Sequence, residues 1–255
     1  MDSTIRFSSR VENYVKYRPT YPREVVDVLV RECGLTRDSI VADLGSGTGL
    51  LTQLFLANGN RVLGIEPNTE MREAGERIFA NDPTFTSVDG TAEDTTLPNI
   101  CVDIVVAGQA FHWFDVAKAR TECLRILKQG GWAALVWNSR KVNATLFLQD
   151  YENLLREFSD DYAKVNHADT VGDAAITEFF GAGWRKATFA NQQLFDFEGL
   201  KGRLLSSSYA PDVEHPNHVP MLQRLREIFD AHQRNGRVTF LYETEVFHGQ
   251  IKYMK

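Results

Sequence analysis

Short hydrophobic runs rich in β-branched residues alternate with amphipathic segments through the first half of the chain, and this alternation constrains the fold most strongly. The runs predict strands at 39–44, 61–66, 84–88, 102–107 and 132–137. They lack the strict alternation of polar and apolar residues that marks a half-exposed sheet. The pattern is therefore typical of a parallel sheet that is covered by helices on both faces.

The segments between these runs carry the signals of helix ends. Pro22 stands at a first helical turn and Gly34 ends that helix, while Asn68 caps a later one. We also predict that the Gly130-Gly131 pair ends the helix before the fifth strand. The predicted helices span 22–34, 50–57, 68–80 and 116–128.

The pattern loosens after residue 138, and we expect this part of the chain to shape the substrate pocket. Residues 139–183 are predicted to be mostly helical. Residues 206–220 contain three prolines and three serines, which favour a loop. The remaining predicted elements are strands at 184–197 and 237–253 and a helix at 222–232.

Length, charge and cysteine content narrow the class of protein. A chain of 255 residues fits one α/β domain, and its formal net charge of −6 gives no long-range attraction for nucleic acid. Its apolar runs fall short of the roughly 18 residues that span a membrane, and its start lacks a secretory signal. Three cysteines far apart suit neither a disulfide framework nor a zinc site. We therefore expect a cytoplasmic protein without a metal.

A glycine-rich loop directly follows the first predicted strand and opens a helix. Its sequence is Asp43-Leu44-Gly45-Ser46-Gly47-Thr48-Gly49. The alternate glycines let a ligand approach the backbone and the N–H groups of the helix start. This spacing, Gly-x-Gly-x-Gly, differs from the Gly-x-Gly-x-x-Gly of dinucleotide-binding loops. The loop predicts a nucleotide-type ligand.

Two acidic residues narrow the choice of ligand. Asp43, just before the glycines, would repel a diphosphate, whereas it would attract an ammonium group. Glu66 stands at the end of the second predicted strand, where an acidic side chain can bind both hydroxyls of a ribose. A cofactor that carries an ammonium group and a ribose but no phosphate is S-adenosylmethionine.

On these residues the chain resembles the class I S-adenosylmethionine-dependent methyltransferases, in the small-molecule subgroup of trans-aconitate and type 11 methyltransferases. The resemblance covers about 14–138 and, beyond that, only the strand-helix-strand ending. Thr91 stands where the family often has Asp. The cofactor-binding residues that the resemblance implies are Asp43, Gly45, Ser46, Gly47 and Gly49 around the methionine moiety, Glu66 and Pro67 at the ribose, Thr91, Ala92 and Glu93 at the adenine, Gln109 beside the methyl donor, and Tyr14, Arg18 and Tyr21 in a lid.

The resemblance also implies the architecture. It is an α/β fold with a doubly wound, Rossmann-like, seven-stranded and mostly parallel sheet whose last strand is antiparallel, plus an N-terminal lid and a helical cap insertion. We expect one methyltransferase domain over 1–255. Its predicted parts are the lid and first helix at 1–35, a cofactor-binding core at 36–138, a substrate-shaping insertion with part of the sheet at 139–220, and the final helix and strand at 221–255.

The loop after the fourth predicted strand supplies the candidate catalytic residue. His112 titrates near neutral pH, so it is either a base or a contact to the substrate. Phe111, Trp113 and Trp137 are expected to line a substrate pocket, with a place in the core as the alternative. Arg18 either clamps a carboxylate, of the cofactor or of an acidic substrate, or lies at the surface near a frayed terminus.

The predicted reaction is an in-line transfer of a methyl group from S-adenosylmethionine to a small-molecule carboxylate, hydroxyl or amine, leaving S-adenosylhomocysteine. Nucleic acid and membranes are not expected partners, and the protein is expected to be a monomer or a homodimer. Two alternatives stay open. One is a dinucleotide-dependent oxidoreductase, and the other is a non-catalytic protein that binds S-adenosylmethionine.

Overall fold

A seven-stranded sheet runs through the centre of the molecule. The computed structural model describes residues 11–159, 162 and 172–251 of the chain. The strands are ordered β3-β2-β1-β4-β5-β7-β6. Their bounds are β1 Ile40–Leu44, β2 Arg61–Ile65, β3 Phe85–Val88, β4 Val102–Gly108, β5 Leu127–Arg140, β6 Arg185–Phe195 and β7 Val238–Gly249.

The strand directions confirm the predicted sheet. Strands β1 to β5 pair in parallel, and β7 pairs antiparallel with both of its neighbours, β5 and β6. The last strand in the sequence is therefore the antiparallel one, as expected. The helices are α1 Val11–Tyr17, α2 Glu24–Cys33, α3 Thr52–Asn58, α4 Thr69–Ile78, α5 Val116–Ile126, α6 Leu146–Phe158, α7 Asp173–Phe180, α8 Phe197–Leu205 and α9 His218–His232.

Side chains of β4 point alternately into two separate cores, which makes the sheet doubly wound. Ile104 and Val106 pack with buried residues of α2 and α3. Val105 and Ala107 pack with buried residues of α5 and α7 on the other face. Because both faces are covered, the strand needs no polar alternation. This explains the continuous hydrophobic runs in the sequence.

A third cluster of buried side chains lies beside the sheet. It joins α6, α8 and α9 to the ends of β6 and β7, with Phe240 and Tyr151 fully buried at its centre. Their rings meet edge to face at a centroid distance of 4.8 Å. The cluster comes mostly from the second half of the chain, where the sequence pattern was loosest.

The prediction around the Gly130-Gly131 pair is wrong. Helix α5 ends at Ile126, and β5 begins at the next residue. Val102 of β4 pairs with Leu127, but Ile104 pairs with Trp132, so several extra residues of β5 bulge out between the two pairs. Gly130 takes a φ of 79° in this bulge. The glycines thus serve a strand irregularity, a use that the helix-end interpretation overlooked.

Two boundaries in the second half also differ from the prediction. The strand predicted at 184–197 ends at Phe195, because the Asp196 side chain accepts a 2.8 Å hydrogen bond from the Gly199 N–H and caps α8. Helix α9 begins at His218, inside the predicted loop, with Pro220 in its first turn. Of the segment predicted as mostly helical, residues 160–161 and 163–171 lie outside the described residues.

None of the helices in 11–159 and 172–251 is long and apolar enough to cross a bilayer.

Candidate functional site

A cavity of about 250 Å³ lies at the carboxyl ends of the parallel strands, where ligands bind in sheets of this type. Asp43 near the end of β1, Gly108 at the end of β4 and Trp137 in β5 all line it. The structure brings most of the sequence-predicted site residues to this cavity. They are Tyr14, Arg18, Tyr21, Asp43, Gly45, Ser46, Gly47, Gln109, His112, Trp113 and Trp137.

Backbone hydrogen bonds tie the glycine-rich loop to the second strand. The N–H groups of Gly45 and Ser46 both donate to the Ile65 carbonyl, at 2.9 and 3.0 Å. Gly45 has a φ of 65°, and a Cβ there would lie 2.7 Å from Cβ of Ala110. Only glycine fits this turn without strain, and its lack of a side chain keeps the backbone open to the cavity.

Asp43 is buried with one carboxylate oxygen unused. The Thr52 hydroxyl donates a 2.7 Å hydrogen bond to Oδ2 of Asp43. Oδ1 has no hydrogen-bond partner within the described chain, although the residue is only 1% exposed. Burial, followed by the negative charge of Glu66, raises the pKa of this carboxyl to about 7. An unpaired buried carboxylate oxygen at the wall of a cavity fits an ammonium group of a ligand.

Glu66 connects the second strand to the glycine-rich loop. Its Oε2 accepts a 2.8 Å hydrogen bond from the Gly47 N–H, and its Oε1 accepts one of 2.8 Å from the Asn68 N–H. Burial raises the pKa of the carboxyl in spite of these bonds. Glu66 does not line the cavity itself, and it lies one hydrogen bond away from a residue that does.

The residues predicted at the adenine and at the loop end lie outside the cavity. Thr91 Oγ1 accepts hydrogen bonds from the Glu93 and Asp94 N–H groups at 3.2 and 3.1 Å, which closes a turn. Glu93 Oε1 accepts a 2.8 Å bond from the Asp115 N–H, just before α5. None of Gly49, Pro67, Thr91, Ala92 and Glu93 is among the residues that line the cavity. Their role at a cofactor stays a prediction.

The N-terminal segment covers the cavity. Helix α1 packs on α8 so closely that a Cβ at Gly202 would lie 2.1 Å from the Tyr17 ring. Arg18 Nη2 donates a 2.9 Å hydrogen bond to the Ser206 carbonyl, and its guanidinium lies 4.9 Å from the centre of the Tyr14 ring. Burial, and next the charge of Arg203, lowers the pKa of Arg18. The alternative of a surface arginine near a frayed terminus is therefore wrong.

Of the aromatic residues in the loop after β4, one is buried in the core and others line the cavity. Phe111 is buried, with its ring 5.2 Å from Phe179 and 6.1 Å from Trp137, so it belongs to the core and does not line the cavity. His112 and Trp113 do line it, with their rings 4.7 Å apart. Gln109 adopts a φ of 56° and donates a 3.1 Å hydrogen bond to the Asn138 carbonyl.

Three arginines, one buried and two half-buried, line the same cavity, and sequence reasoning missed two of them. We call Arg18, Arg140 and Arg203 the arginine cluster. Arg140 lies at the end of β5, and in the sheet it pairs with Tyr242 of β7. Arg203, on α8, is 6% exposed. Positive charge in so confined a space predicts an anionic ligand.

Only part of this positive charge is neutralised. Arg140 Nη2 pairs with Glu152 Oε2, and the Tyr162 hydroxyl and Arg156 Nε occupy the same carboxylate at 2.7 and 3.0 Å. Arg203 instead donates to the Tyr242 hydroxyl at 3.3 Å and to Ser207 Oγ at 3.0 Å. Within the described ranges, neither Arg18 nor Arg203 pairs with a carboxylate.

Part of the chain is similar in sequence to known methyltransferases. Residues 42–135 match the model of a family described as a methyltransferase domain. An uncharacterized methyltransferase from Mycobacterium tuberculosis is 38% identical over 139 residues, which cover 54% of this chain and 54% of that protein. The matched region thus spans about half the length of this relative. The YcgJ protein of Bacillus subtilis, an uncharacterized methyltransferase, is 29% identical over 196 residues, 75% of this chain and 72% of that one.

Solved structures share the fold at low sequence identity. The crystal structure of YcgJ superposes with a TM-score of 0.55 at 19% identity, over 91% of this chain and all of that one. A methyltransferase from Geobacter sulfurreducens superposes with a TM-score of 0.54 at 17% identity, over 99% of both chains. That protein depends on S-adenosylmethionine and was solved in complex with S-adenosylhomocysteine.

Proposed function

We propose that the chain transfers a methyl group from S-adenosylmethionine to a small molecule that carries a carboxylate, starting from the match of residues 42–135 to the model of a methyltransferase domain. The observation that carries the acceptor class is that the buried Arg203 and the half-buried Arg18 have no carboxylate partner in the described chain. Both line the cavity that also contains the glycine-rich loop.

Asp43 supports the choice of cofactor. Its unpaired Oδ1 would hold the ammonium group of the methionine moiety, and the open backbone of Gly45 and Gly47 would lie along that moiety. Glu66, beside the loop, would exchange its bond from the Gly47 N–H for bonds from ribose hydroxyls. When bound, the cofactor supplies a methyl group on a positively charged sulfur. The residues present fit such a group.

The dinucleotide alternative fits these residues less well. A pyrophosphate next to the loop would bring negative charge towards Asp43, which is buried and has no cation to neutralise it among its hydrogen-bond partners. A non-catalytic protein that only binds S-adenosylmethionine would need no site for a methyl acceptor. Arg203 is buried at a cost in desolvation and has no carboxylate partner in the described chain, which argues for such a site.

For a carboxylate acceptor, the chain contributes position rather than proton transfer. Arg203 and Arg18 would hold the acceptor while one carboxylate oxygen attacks the methyl carbon, in line with the departing sulfur, which keeps the bonding electron pair. A carboxylate is already ionised near neutral pH, so no base is needed. His112 is then a contact to the acceptor, and the half-exposed Trp113 helps to exclude water.

The experiment that tests this proposal is a transfer assay. The protein is incubated with S-adenosylmethionine and a panel of small carboxylic acids, alcohols and amines, and S-adenosylhomocysteine is measured. We expect turnover with acids, and a KM for the acid that is at least tenfold higher in Arg203→Gln, since a charged hydrogen bond contributes about 1.5–3 kcal/mol. Arg185→Gln, at an exposed ion pair with Glu32, is the matched control and should change little.

A clear outcome would contradict the acceptor class. If the protein methylates neutral alcohols or amines and Arg203→Gln leaves the kinetics unchanged, the acceptor is not a carboxylate. The expectations of a cytoplasmic location, of a monomer or homodimer, and of a division into lid, core and insertion stay predictions.

A further inference from the structure

The hydroxyl of Tyr242 lies between two side chains from other elements. It donates a 3.0 Å hydrogen bond to Oε1 of Gln193 on β6 and accepts one of 3.3 Å from Nε of Arg203 on α8. Tyr242 itself is on β7 and is buried. Because a phenol has a single hydrogen, the bond to Gln193 uses it, and a lone pair of the oxygen is left to face Arg203.

Gln193 fixes the direction of these hydrogen bonds. Its Nε2 donates a 3.2 Å bond to the carbonyl of Tyr17, the last residue of α1. A carbonyl can only accept, so the amide nitrogen must face Tyr17 and Oε1 must face Tyr242. Each group thus donates to the next, from Arg203 through Tyr242 and Gln193 to the Tyr17 carbonyl. The three bonds connect an arginine of the cavity to the N-terminal segment.

Two of the three guanidinium nitrogens of Arg203 are held by hydrogen bonds. Nε donates to Tyr242, and Nη1 donates a 3.0 Å bond to Oγ of Ser207. Nη2 donates no hydrogen bond within the described chain, and Arg203 lines the cavity. Because the guanidinium group is planar and rigid, the two bonds also fix the direction of Nη2. This nitrogen is the one left for a ligand.

We propose that Tyr242, itself held by Gln193, is a positioning residue for the methyl acceptor: its hydroxyl orients Arg203 so that Nη2 binds the carboxylate of the acceptor. The hydroxyl takes part in no proton transfer and acts on the acceptor through Arg203 alone. The inference rests on the proposed function in one respect, the carboxylate acceptor. It makes acceptor binding depend on Gln193 and Tyr242, although neither residue needs to contact the acceptor.

The first test observes the guanidinium of Arg203 directly, by proton–nitrogen NMR of the full-length protein. The arginine Nε–H signal that is missing in Arg203→Gln belongs to Arg203. In the unmodified protein its exchange with water should be slow, because the bond to Tyr242 protects it. Tyr242→Phe should make the exchange about tenfold faster. Gln193→Met should also accelerate it, by less, because the hydroxyl stays but loses its fixed direction.

Each of the two variants has a matched control. Tyr151→Phe also removes a buried hydroxyl, but one without a hydrogen-bond partner in the described chain. Gln192→Met makes the same change as Gln193→Met at the exposed neighbouring residue of β6. Both controls should keep the slow exchange of the Arg203 signal.

The second test is the kinetics of methyl transfer to the acid. Tyr242→Phe should raise the KM for the acid about five- to tenfold and leave kcat within about twofold, because the orientation of Arg203 serves binding before and during transfer. Affinity for S-adenosylhomocysteine should not change. If Tyr242 acts through Arg203, adding Tyr242→Phe to Arg203→Gln should raise the KM little further.

The inference is overturned if the Arg203 signal exchanges as slowly in Tyr242→Phe as in the unmodified protein, or if the rise in KM persists in full in the Arg203→Gln background. Gln193→Met, at a half-buried residue, decides the question if Tyr242→Phe fails to fold. The NMR measurement needs no acceptor, so the two failures are separable. A protein whose Arg203 signal responds as expected but which methylates no acid would contradict the proposed function and keep the positioning of Arg203 by Tyr242.

Discussion

The Thr52 hydroxyl donates a 2.7 Å hydrogen bond to Oδ2 of Asp43 and leaves Oδ1 of the same buried carboxylate without a partner in the described chain. The bond fixes the carboxylate in one orientation against the start of α3. A positively charged group in the cavity could complete its hydrogen bonding. The proposal that Asp43 holds the ammonium group of the cofactor depends on this arrangement.

We expect Asp43→Asn to weaken the binding of S-adenosylhomocysteine about 10- to 100-fold, because a hydrogen bond between two charged groups contributes about 1.5–3 kcal/mol. Calorimetric titration measures this change directly. Asp38→Asn, at an exposed acid before β1, is the control and should bind like the unmodified protein. If Asp43→Asn and Asp38→Asn bind S-adenosylhomocysteine with equal affinity, Asp43 does not contact the cofactor.

Cofactor affinity should depend on pH through the same carboxyl. Burial raises the pKa of Asp43 to about 7, so below that pH the free protein holds it mostly protonated. An ammonium group favours the ionised form, and the affinity should therefore fall roughly tenfold per pH unit below 7 and level off above it. Calorimetry with S-adenosylhomocysteine over about pH 5.5 to 8.5 should show this profile. Asp43→Asn should flatten it.

Gly45→Ala should destabilise the protein and reduce cofactor binding together. The new Cβ would lie 2.7 Å from Ala110 Cβ, at a φ of 65°. Gly236→Ala is a matched control, since Gly236 has a φ of 74° and no atom within 4 Å of the added Cβ. The control should lose about 1–2 kcal/mol of unfolding free energy from backbone strain alone, and Gly45→Ala about 1–3 kcal/mol more from overpacking. Urea unfolding measures both, and equal losses would show that the loop tolerates a side chain.

Much of the sheet was predictable because its signal is local. Most of the parallel strands are short, largely hydrophobic runs, and helix ends such as Gly34 and Asn68 lie where the sequence predicts them. The Gly130-Gly131 pair was misread because glycines end helices and also permit strand bulges, and only the pairing of β4 with β5 distinguishes the two uses.

The arginine cluster could not be predicted from the sequence in this way. Arg18, Arg140 and Arg203 come from three distant parts of the chain, and no spacing links them. They meet because β7 returns beside β5 and because α8 packs against α1. One local signal was present: Arg140 stands three residues beyond Trp137, towards the carboxyl end of a buried strand, where ligands bind.

Gly202→Ala should separate the N-terminal segment from α8 without disturbing the sheet. The added Cβ would lie 2.1 Å from the Tyr17 ring, so this ring must leave its place against α8. If α1 and Arg18 form a lid, affinity for S-adenosylhomocysteine should fall at least tenfold while most of the thermal stability is kept. Gly172→Ala, whose added Cβ meets no atom within 4 Å, is the control. Unchanged affinity in Gly202→Ala would mean that the segment is no lid.

The most direct test of the central claim is calorimetric titration of the purified protein with S-adenosylhomocysteine and, in parallel, with NAD⁺. Binding of one S-adenosylhomocysteine per chain, weakened in Asp43→Asn, together with no heat from NAD⁺, is the result that this account predicts. Binding of NAD⁺ without binding of S-adenosylhomocysteine would contradict it.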